Sequence, residues 1–122
     1  MNTQTTNQPY LPHERLDVYH LAVEFRRSLI LLSQVRGVAS LREQLFSAAD
    51  SIVLNIAEGA GRNSRDDKRR HYEIAKGSAT ECAAALELFH CRGALSTAAW
   101  QARRDLLIRI VQMLSRLCGP PR

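Results

Sequence analysis

Apolar residues recur every three or four positions along most of the chain, which is the pattern of helices that bury one face. The first such segment runs from about Glu14 to Val35, and Gly37 offers a left-handed stop after it. Its apolar stripe consists of Val18, Ala22, Phe25, Leu29 and Leu32. The second segment begins at Ser40, which with Glu43 forms a predicted capping box. Its stripe consists of Leu41, Leu45, Ala48, Ile52 and then Asn55 or Ile56.

Two further segments show the same periodicity. The third begins near Ser64, a predicted N-cap, and stops at Gly93. Its stripe consists of Tyr72, Ala75, Ala79, Cys82, Leu86 and Phe89. The fourth begins after Ser96, a second predicted N-cap, and Gly119 ends it. Its stripe consists of Trp100, Leu107, Ile110 or Val111, Leu114 and Leu117.

Four helices joined by short connections place sequence neighbours side by side and antiparallel. Each helix of about 20 residues would be about 30 Å long. The sequence therefore predicts an all-α fold, an antiparallel up-down-up-down four-helix bundle over residues 14–118. Residues 1–13, rich in Asn, Gln and Thr, are predicted to be a disordered N-terminal tail, and residues 119–122 a C-terminal tail.

Three short runs are apolar at nearly every position, so in a regular helix they would point all round the axis. A single bundle core would not hide them all. They either leave apolar side chains singly exposed, which is ordinary, or form a subunit interface. We favour an interface, and it would comprise Leu29, Ile30, Leu31, Val53, Leu54, Leu106 and Ile108.

The composition is basic, and the sequence shows no targeting signal. The net charge is +5, and the 17 basic residues are almost all arginine, whose planar fork suits phosphate. Genomic codon bias would give the same excess of arginine over lysine. No apolar run reaches the ~18 residues that a membrane span needs. The three cysteines lack Cys-x-x-Cys spacing, so we expect a reduced, cytoplasmic protein.

Five basic residues lie close together where the third helix is predicted to begin. They are Arg62, Arg65, Lys68, Arg69 and Arg70. One interpretation is a solvated helix end that pairs with its own acids. The other is a site for nucleic-acid phosphates, assisted by the partial positive charge of the helix N-terminus.

The end of the second helix carries the most distinctive residues, Asn55-Ile56-Ala57-Glu58-Gly59-Ala60-Gly61-Arg62. The glycines lack the Lys-Ser/Thr of a phosphate-binding P-loop, so they predict a helix-ending turn with positive φ. Asn55 and Glu58 are predicted to be structural, and Glu58 is spaced to pair with Arg62. Further on, Gly77 and Ser78 are small and would let a neighbouring backbone approach.

These residues, with Ile74-Ala75-Lys76-Gly77-Ser78 and Glu81, resemble the four-helix bundle proteins encoded in intervening sequences of bacterial 23S ribosomal RNA genes. The resemblance extends from about Leu16 to Leu117. It implies a non-enzymatic, nucleic-acid-associated protein that forms a cyclic homo-oligomer, typically a pentamer. The chain departs from the family pattern at Phe46-Ser47, where Arg-Arg is common, and at Val53, where Pro is frequent.

No catalytic or metal-binding constellation is visible in the sequence. Glu87 and His90 have the Glu-x-x-His spacing of a di-iron bundle, but a second such motif is missing, so no metal and no cofactor are predicted. Trp100 is predicted to anchor the core. The expected function is binding of structured RNA, with ribosomal RNA a candidate, through arginine–phosphate contacts. The alternative is an oligomeric scaffold for a protein such as a reverse transcriptase, which distant relatives of this bundle assist.

Overall fold

The computed structural model describes residues 9–120, and over this range the chain is helical with no strand. Its four helices are α1 (Asp17–Ser28), α2 (Ala39–Ala60), α3 (Arg65–Cys91) and α4 (Thr97–Cys118). Short 3-10 turns at Pro12–Arg15 and Leu29–Leu32 flank α1. The predicted disordered tail falls mainly on residues 1–8, which lie outside the described range, as do residues 121 and 122. The prediction of four helices is confirmed.

Each helix packs against two others, so the four surround one core. α2 and α4 both contact α1 and α3, and the α2–α3 contact is the most extensive. All six residues of the predicted α3 stripe are buried, from Tyr72 to Phe89. The predicted α1 stripe is buried as well. The hydrophobic periodicity therefore identified the buried faces that hold the bundle together, except at Leu117 of the predicted α4 stripe, which is 41% exposed.

The two serine caps are present and the capping box is not. The Ser64 Oγ accepts from the Asp67 backbone N–H, and the Ser96 Oγ accepts from that of Ala99, each at 3.1 Å. The prediction for Ser40 is wrong, because α2 begins one residue earlier and its N-cap, Val38, makes no side-chain cap. Val38 is buried in the core, so burial rather than capping places the start of this helix.

The Leu29–Leu32 segment corrects both the predicted length of the first helix and one predicted interface residue. At three residues per turn, positions three apart lie on one line. Leu29 and Leu32 are therefore both fully buried, while Ile30 between them is 73% exposed. Leu29 belongs to the core and does not form part of an interface.

The other predicted interface residues divide into two groups. Leu31, Leu54 and Ile108 are exposed, with Leu54 at 66%. Val53 and Leu106 are only partly exposed because they pack against the core. Within the described residues, exposed apolar side chains therefore occur on several helices.

Glycine ends α3 but not α2. Gly93 has a φ of +75°, and the Ala94 N–H bonds to the Phe89 carbonyl at 3.0 Å, as in a Schellman turn. The predicted positive φ at Gly59 and Gly61 is wrong. α2 continues through Gly59 to Ala60, and Gly61 has a φ of −86°.

Candidate nucleic-acid interface

The five predicted basic residues come together at one end of the bundle, where α2 ends and α3 begins. Arg62 lies in the connection, and the others occupy the first two turns of α3. Asp66 and Asp67 share the first turn, where carboxylates complement the helix dipole. The sequence prediction is right about proximity. The individual contacts, however, separate the five side chains into two kinds.

Lys68 bonds to the end of the preceding helix. Its Nζ donates to the carbonyl oxygens of Gly59 at 3.3 Å and Ala60 at 2.9 Å. The last carbonyls of a helix have no partner within the helix, and a cation there also meets the negative end of the dipole. Lys68 therefore takes the capping role that the sequence assigned to glycine.

Arg69 does the same for α4. Its Nη1 donates to the Cys118 and Pro120 carbonyl oxygens, both at 2.8 Å, and its Nη2 lies 3.6 Å from a Glu73 carboxylate oxygen. The first two turns of α3 thus bind the last residues of both neighbouring helices. A side chain bonded in this way has little freedom to bind phosphate.

Arg103 repeats this arrangement at the end of α1, and Arg42 binds a carbonyl after the 3-10 turn that follows α1. The Arg103 guanidinium donates to the Ser28 carbonyl oxygen at 3.0 Å, and Arg42 donates to that of Val35 at 2.7 Å. Burial lowers the pKa of Arg103. At least four of the 17 basic residues therefore have structural contacts.

The remaining three cations of the cluster are exposed. Arg62 pairs with Glu58 at 2.5 Å, as the i,i+4 spacing predicted. Arg65 is exposed at the start of α3, and its guanidinium lies against the end of α4, with its Nη2 about 3.0 Å from where a Cβ on Gly119 would be. Arg70 is exposed, and its Nη2 lies 3.3 Å from the His71 Nε2. These three guanidinium groups are the cluster members that face solvent.

A polar network lies behind these arginines, between α2 and α3. The Asn55 Nδ2 donates to the Ser51 carbonyl at 2.9 Å, and the Ser51 Oγ lies 2.8 Å from that of Ser78. The Asn55 Oδ1 is 3.1 Å from the His71 Nδ1. Because Arg70 can only donate, the His71 Nε2 accepts and its Nδ1–H donates to Asn55. These bonds are the physical basis for a structural role of Asn55, which stays a prediction.

Gly59 allows α2 and α3 to approach closely. A Cβ at this position would lie 2.7 Å from the Tyr72 Cε1 and 3.1 Å from the His71 Cβ. Burial raises the pKa of Tyr72, and Cys118 adds a smaller contribution. Gly77 differs, because a Cβ there would meet nothing within 4 Å. The predicted close approach is therefore found at Gly59, and the prediction for Gly77 is wrong.

His71 was missed by the sequence reasoning. It is the one buried polar side chain among the described residues, at 8% exposure. It directly precedes Tyr72 on the buried stripe, which places it on the edge of that stripe. Its position beside the stripe could have indicated that His71 is buried. Its hydrogen-bond partner Asn55 could not be inferred in this way, because Asn55 is sixteen residues away and on another helix.

A family model described as 23S rRNA-intervening sequence protein matches residues 14–116. The chain belongs to this family. The family resemblance first seen in the Asn55–Arg62 segment is thus confirmed, and the match extends over most of the sequence. None of the curated proteins matches the chain.

A solved structure supports the same fold for this intervening-sequence protein. It is a protein of unknown function from the S23 ribosomal protein family of Bacteroides thetaiotaomicron, determined at 1.70 Å. The TM-score is 0.76 and the identity 21%, covering 84% of this chain and 96% of the other. At that identity the likeness concerns the fold alone.

The predicted candidates for other chemistry have ordinary surroundings in this family member. His90 stacks on Trp100 with ring centroids 4.3 Å apart and bonds to the Thr97 hydroxyl at 3.0 Å. Across residues 9–120, no three His, Cys, Asp or Glu side chains are placed to share a metal ion. In the same range, no helix has the length and apolarity to cross a bilayer.

Proposed function

We propose that this protein is a non-enzymatic, cytoplasmic RNA-binding bundle that contacts phosphates through Arg62, Arg65 and Arg70. The observation that carries the proposal is the division of the cluster. Lys68 and Arg69 fix the end of the bundle, and three guanidinium groups remain exposed around the start of a 27-residue helix. Such groups bind phosphate oxygens bidentately, and the helix N-terminus adds partial positive charge.

The predicted antiparallel up-down-up-down arrangement is part of the proposal. Contacts between α2 and α3 support it, because residue numbers rise along one helix as they fall along the other. The Cys82 Sγ approaches the Leu45 carbonyl at 4.0 Å, Ser51 pairs with Ser78, and Asn55 pairs with His71. The exposed arginines of α3 would then lie at a single end of each subunit.

Acidic neighbours limit the affinity of one subunit. Glu58 pairs with Arg62, and Asp66 and Asp67 lie in the same turn as Arg65. A cyclic homo-oligomer, with the pentamer implied by the family resemblance, would repeat the site on one rim. Linked sites raise the overall affinity without any new contact. The proposal therefore requires an assembly and a structured RNA large enough to reach several subunits.

A charge-reversal experiment tests the RNA site. The Arg65→Glu/Arg70→Glu variant leaves the capping residues intact, and the control Arg27→Glu/Arg36→Glu makes the same charge change on exposed residues elsewhere. Binding of a fluorescent RNA hairpin is followed by anisotropy over a salt series. We expect affinity to fall at least tenfold in the first variant, and the salt slope to fall by about 1 for each phosphate that the protein no longer neutralises.

The two variants distinguish a site from general charge attraction. An equal fall in affinity in both variants would mean that only net charge matters. Unchanged binding in the Arg65/Arg70 variant would exclude this end of the bundle as the RNA site.

The second candidate function is a scaffold for a protein partner such as a reverse transcriptase. It is favoured by Ile30 and Leu31, two adjacent apolar side chains that are exposed after α1. Co-expression with a reverse transcriptase encoded beside the gene would test it. Co-purification that disappears in an Ile30→Asp variant would support this function, and an unchanged yield would count against it.

A further inference from the structure

Charge is distributed unequally among the four helices. α1 and α3 each carry equal numbers of acidic and basic residues. α2 carries Arg42 against three acids, Glu43, Asp50 and Glu58. α4 carries four arginines against Asp105 alone. One helix is thus acidic and another basic, although the chain as a whole is basic.

The acidic and basic helices occupy opposite corners of the bundle. α2 and α4 each pack against both α1 and α3, so α1 and α3 lie between α2 and α4. The outer surfaces of α2 and α4 therefore point away from each other. A single molecule cannot bring them into contact, but two molecules can.

The outer surface of α2 presents one large apolar side chain among carboxylates. Leu54 is 66% exposed, and Glu43, Asp50 and Glu58 are exposed as well, although Asp50 pairs with Arg26 of α1 at 2.7 Å and Glu58 with Arg62. Their spacings of seven, four and four residues put them on one side of the helix. We name this set (Glu43, Asp50, Leu54 and Glu58) the acidic face.

The outer surface of α4 presents the complementary chemistry. Arg104 and Ile108 are exposed on the side of the helix that faces α3, and Arg109 and Arg116, which are also exposed, lie further round the helix. We name these four residues the basic face. Beside it lies a cavity of about 260 Å³ between α3 and α4, whose lining includes Ala79, Ala83, Leu107, Ile108 and Val111. An apolar groove is therefore bordered by arginine, as an apolar side chain on α2 is bordered by carboxylate.

The arginines of the basic face differ from the capping arginines in having no partner. Within residues 9–120, the side chains of Arg104, Arg109 and Arg116 take part in no hydrogen bond or ion pair. Asp105 is spaced to pair with Arg109, four residues later, but does not do so. Arg69 and Arg103, by contrast, are bonded to carbonyls. The positive charge of α4 thus stays available to an outside group.

We propose that the acidic face of one copy docks onto the basic face of a second copy, with Leu54 entering the groove beside Ile108. This inference rests on the oligomer in the proposed function and supplies its interface. Because the two faces differ, each docked copy keeps one face free. The contact is head-to-tail, and copies add until the ring closes.

Two single-face variants test the contact in solution. Leu54→Glu alters the acidic face, and Arg104→Glu/Arg109→Glu alters the basic face. All three side chains are exposed, so the fold is kept. Masses are measured by size-exclusion chromatography with light scattering. We expect an oligomer for the unaltered chain and for the control Arg27→Glu/Arg36→Glu, and the mass of a single chain for each face variant.

Mixing the two face variants gives the decisive result. Each retains the face that the other lacks, so one intact contact can form, and we expect a 1:1 complex of twice the single-chain mass. An interface made by the same patch on both copies would give no such complex. Failure to form it, or oligomers in either face variant alone, would overturn the proposal, and so would a monomeric unaltered chain.

RNA binding by the basic face is the competing outcome, and it gives a different pattern. In that case Arg104→Glu/Arg109→Glu keeps the full oligomer mass but loses affinity for the RNA hairpin. The proposed RNA site is tested separately through Arg65 and Arg70, whose reversal leaves the mass unchanged under our proposal. A ring that ignores RNA would refute the function alone, and an RNA-binding ring that persists in both face variants would refute this interface alone.

Discussion

The α-carbon of Gly59 lies against the ring of Tyr72 so closely that a methyl group at position 59 would approach the Cε1 to 2.7 Å. This contact joins the end of α2 to the third turn of α3. It follows from the absence of a side chain, not from unusual backbone angles, because Gly59 is an ordinary helical residue.

Replacing Gly59 by alanine should destabilise the bundle. The ring of Tyr72 is buried and packed, so relieving the clash would shift α3 at a cost of about 1–3 kcal/mol, reduced by up to about 1 kcal/mol of helix propensity. Gly77→Ala is the matched control, since its site is open and it should gain about 0.5–1 kcal/mol. Urea unfolding measures both, and a Gly59→Ala variant as stable as Gly77→Ala would disprove the contact.

Arg69 should matter for stability and its neighbour Arg70 should not. Arg69→Gln removes a charged donor from the Cys118 and Pro120 carbonyls, which should cost about 1.5–3 kcal/mol. Arg70→Gln makes the same chemical change on an exposed side chain whose bond to the His71 Nε2 is long, at 3.3 Å, and it should stay within about 0.5 kcal/mol. Thermal unfolding of the two variants measures both effects, and equal effects would contradict the capping role of Arg69.

Asn55 and His71 should be energetically coupled. Asn55→Ala leaves the buried Nδ1–H of His71 without an acceptor, at a cost of about 1–3 kcal/mol. Removing both side chains should cost less than the sum of the two single replacements, by about 0.5–3 kcal/mol. A double-mutant cycle with His71→Ala, measured by chemical unfolding, checks this. Strict additivity would mean that the bond contributes nothing.

Cys82 should make stability fall at high pH. Burial is the main cause that raises its pKa to about 12, whereas an unfolded thiol titrates near about 8.5. The unfolded chain loses its proton first, so this contribution is complete below about pH 8.5 and is lost as pH rises towards 12. The advantage of the native chain over Cys82→Ala should therefore shrink by about 1.4 kcal/mol per pH unit above 8.5. Urea unfolding of both proteins below and above that pH measures the change, and a constant advantage would contradict this contribution.

The sequence predicted those features that depend on residues close together along the chain. The α3 stripe, the Ser64 and Ser96 caps and the Glu58–Arg62 pair each depend on spacings of three or four residues. The short connections between the four stripes predicted the bundle, and the family resemblance agreed with that prediction. The Ser40 cap failed because burial of Val38 outweighed a local signal.

Contacts between distant residues explain what the sequence reasoning missed. Nothing in the local pattern pairs Arg69 with the Cys118 carbonyl, 49 residues away, or Gly59 with Tyr72. The same limit affected the basic cluster, where five adjacent cations looked equivalent although two of them cap helices. Which cations stay free becomes visible only once the helix ends are placed beside one another.

The caps made by Lys68 and Arg69 also set which changes in the gene the bundle should tolerate. Their partners are carbonyl groups, which every amino acid supplies, so substitutions at Ala60 or Pro120 leave both caps chemically intact. A one-residue insertion or deletion within α4 has another effect, because it turns the end of the helix by about 100° and moves it by about 1.5 Å. Natural variation at the ends of α2 and α4 should therefore consist of replacements, with gaps confined to the connections.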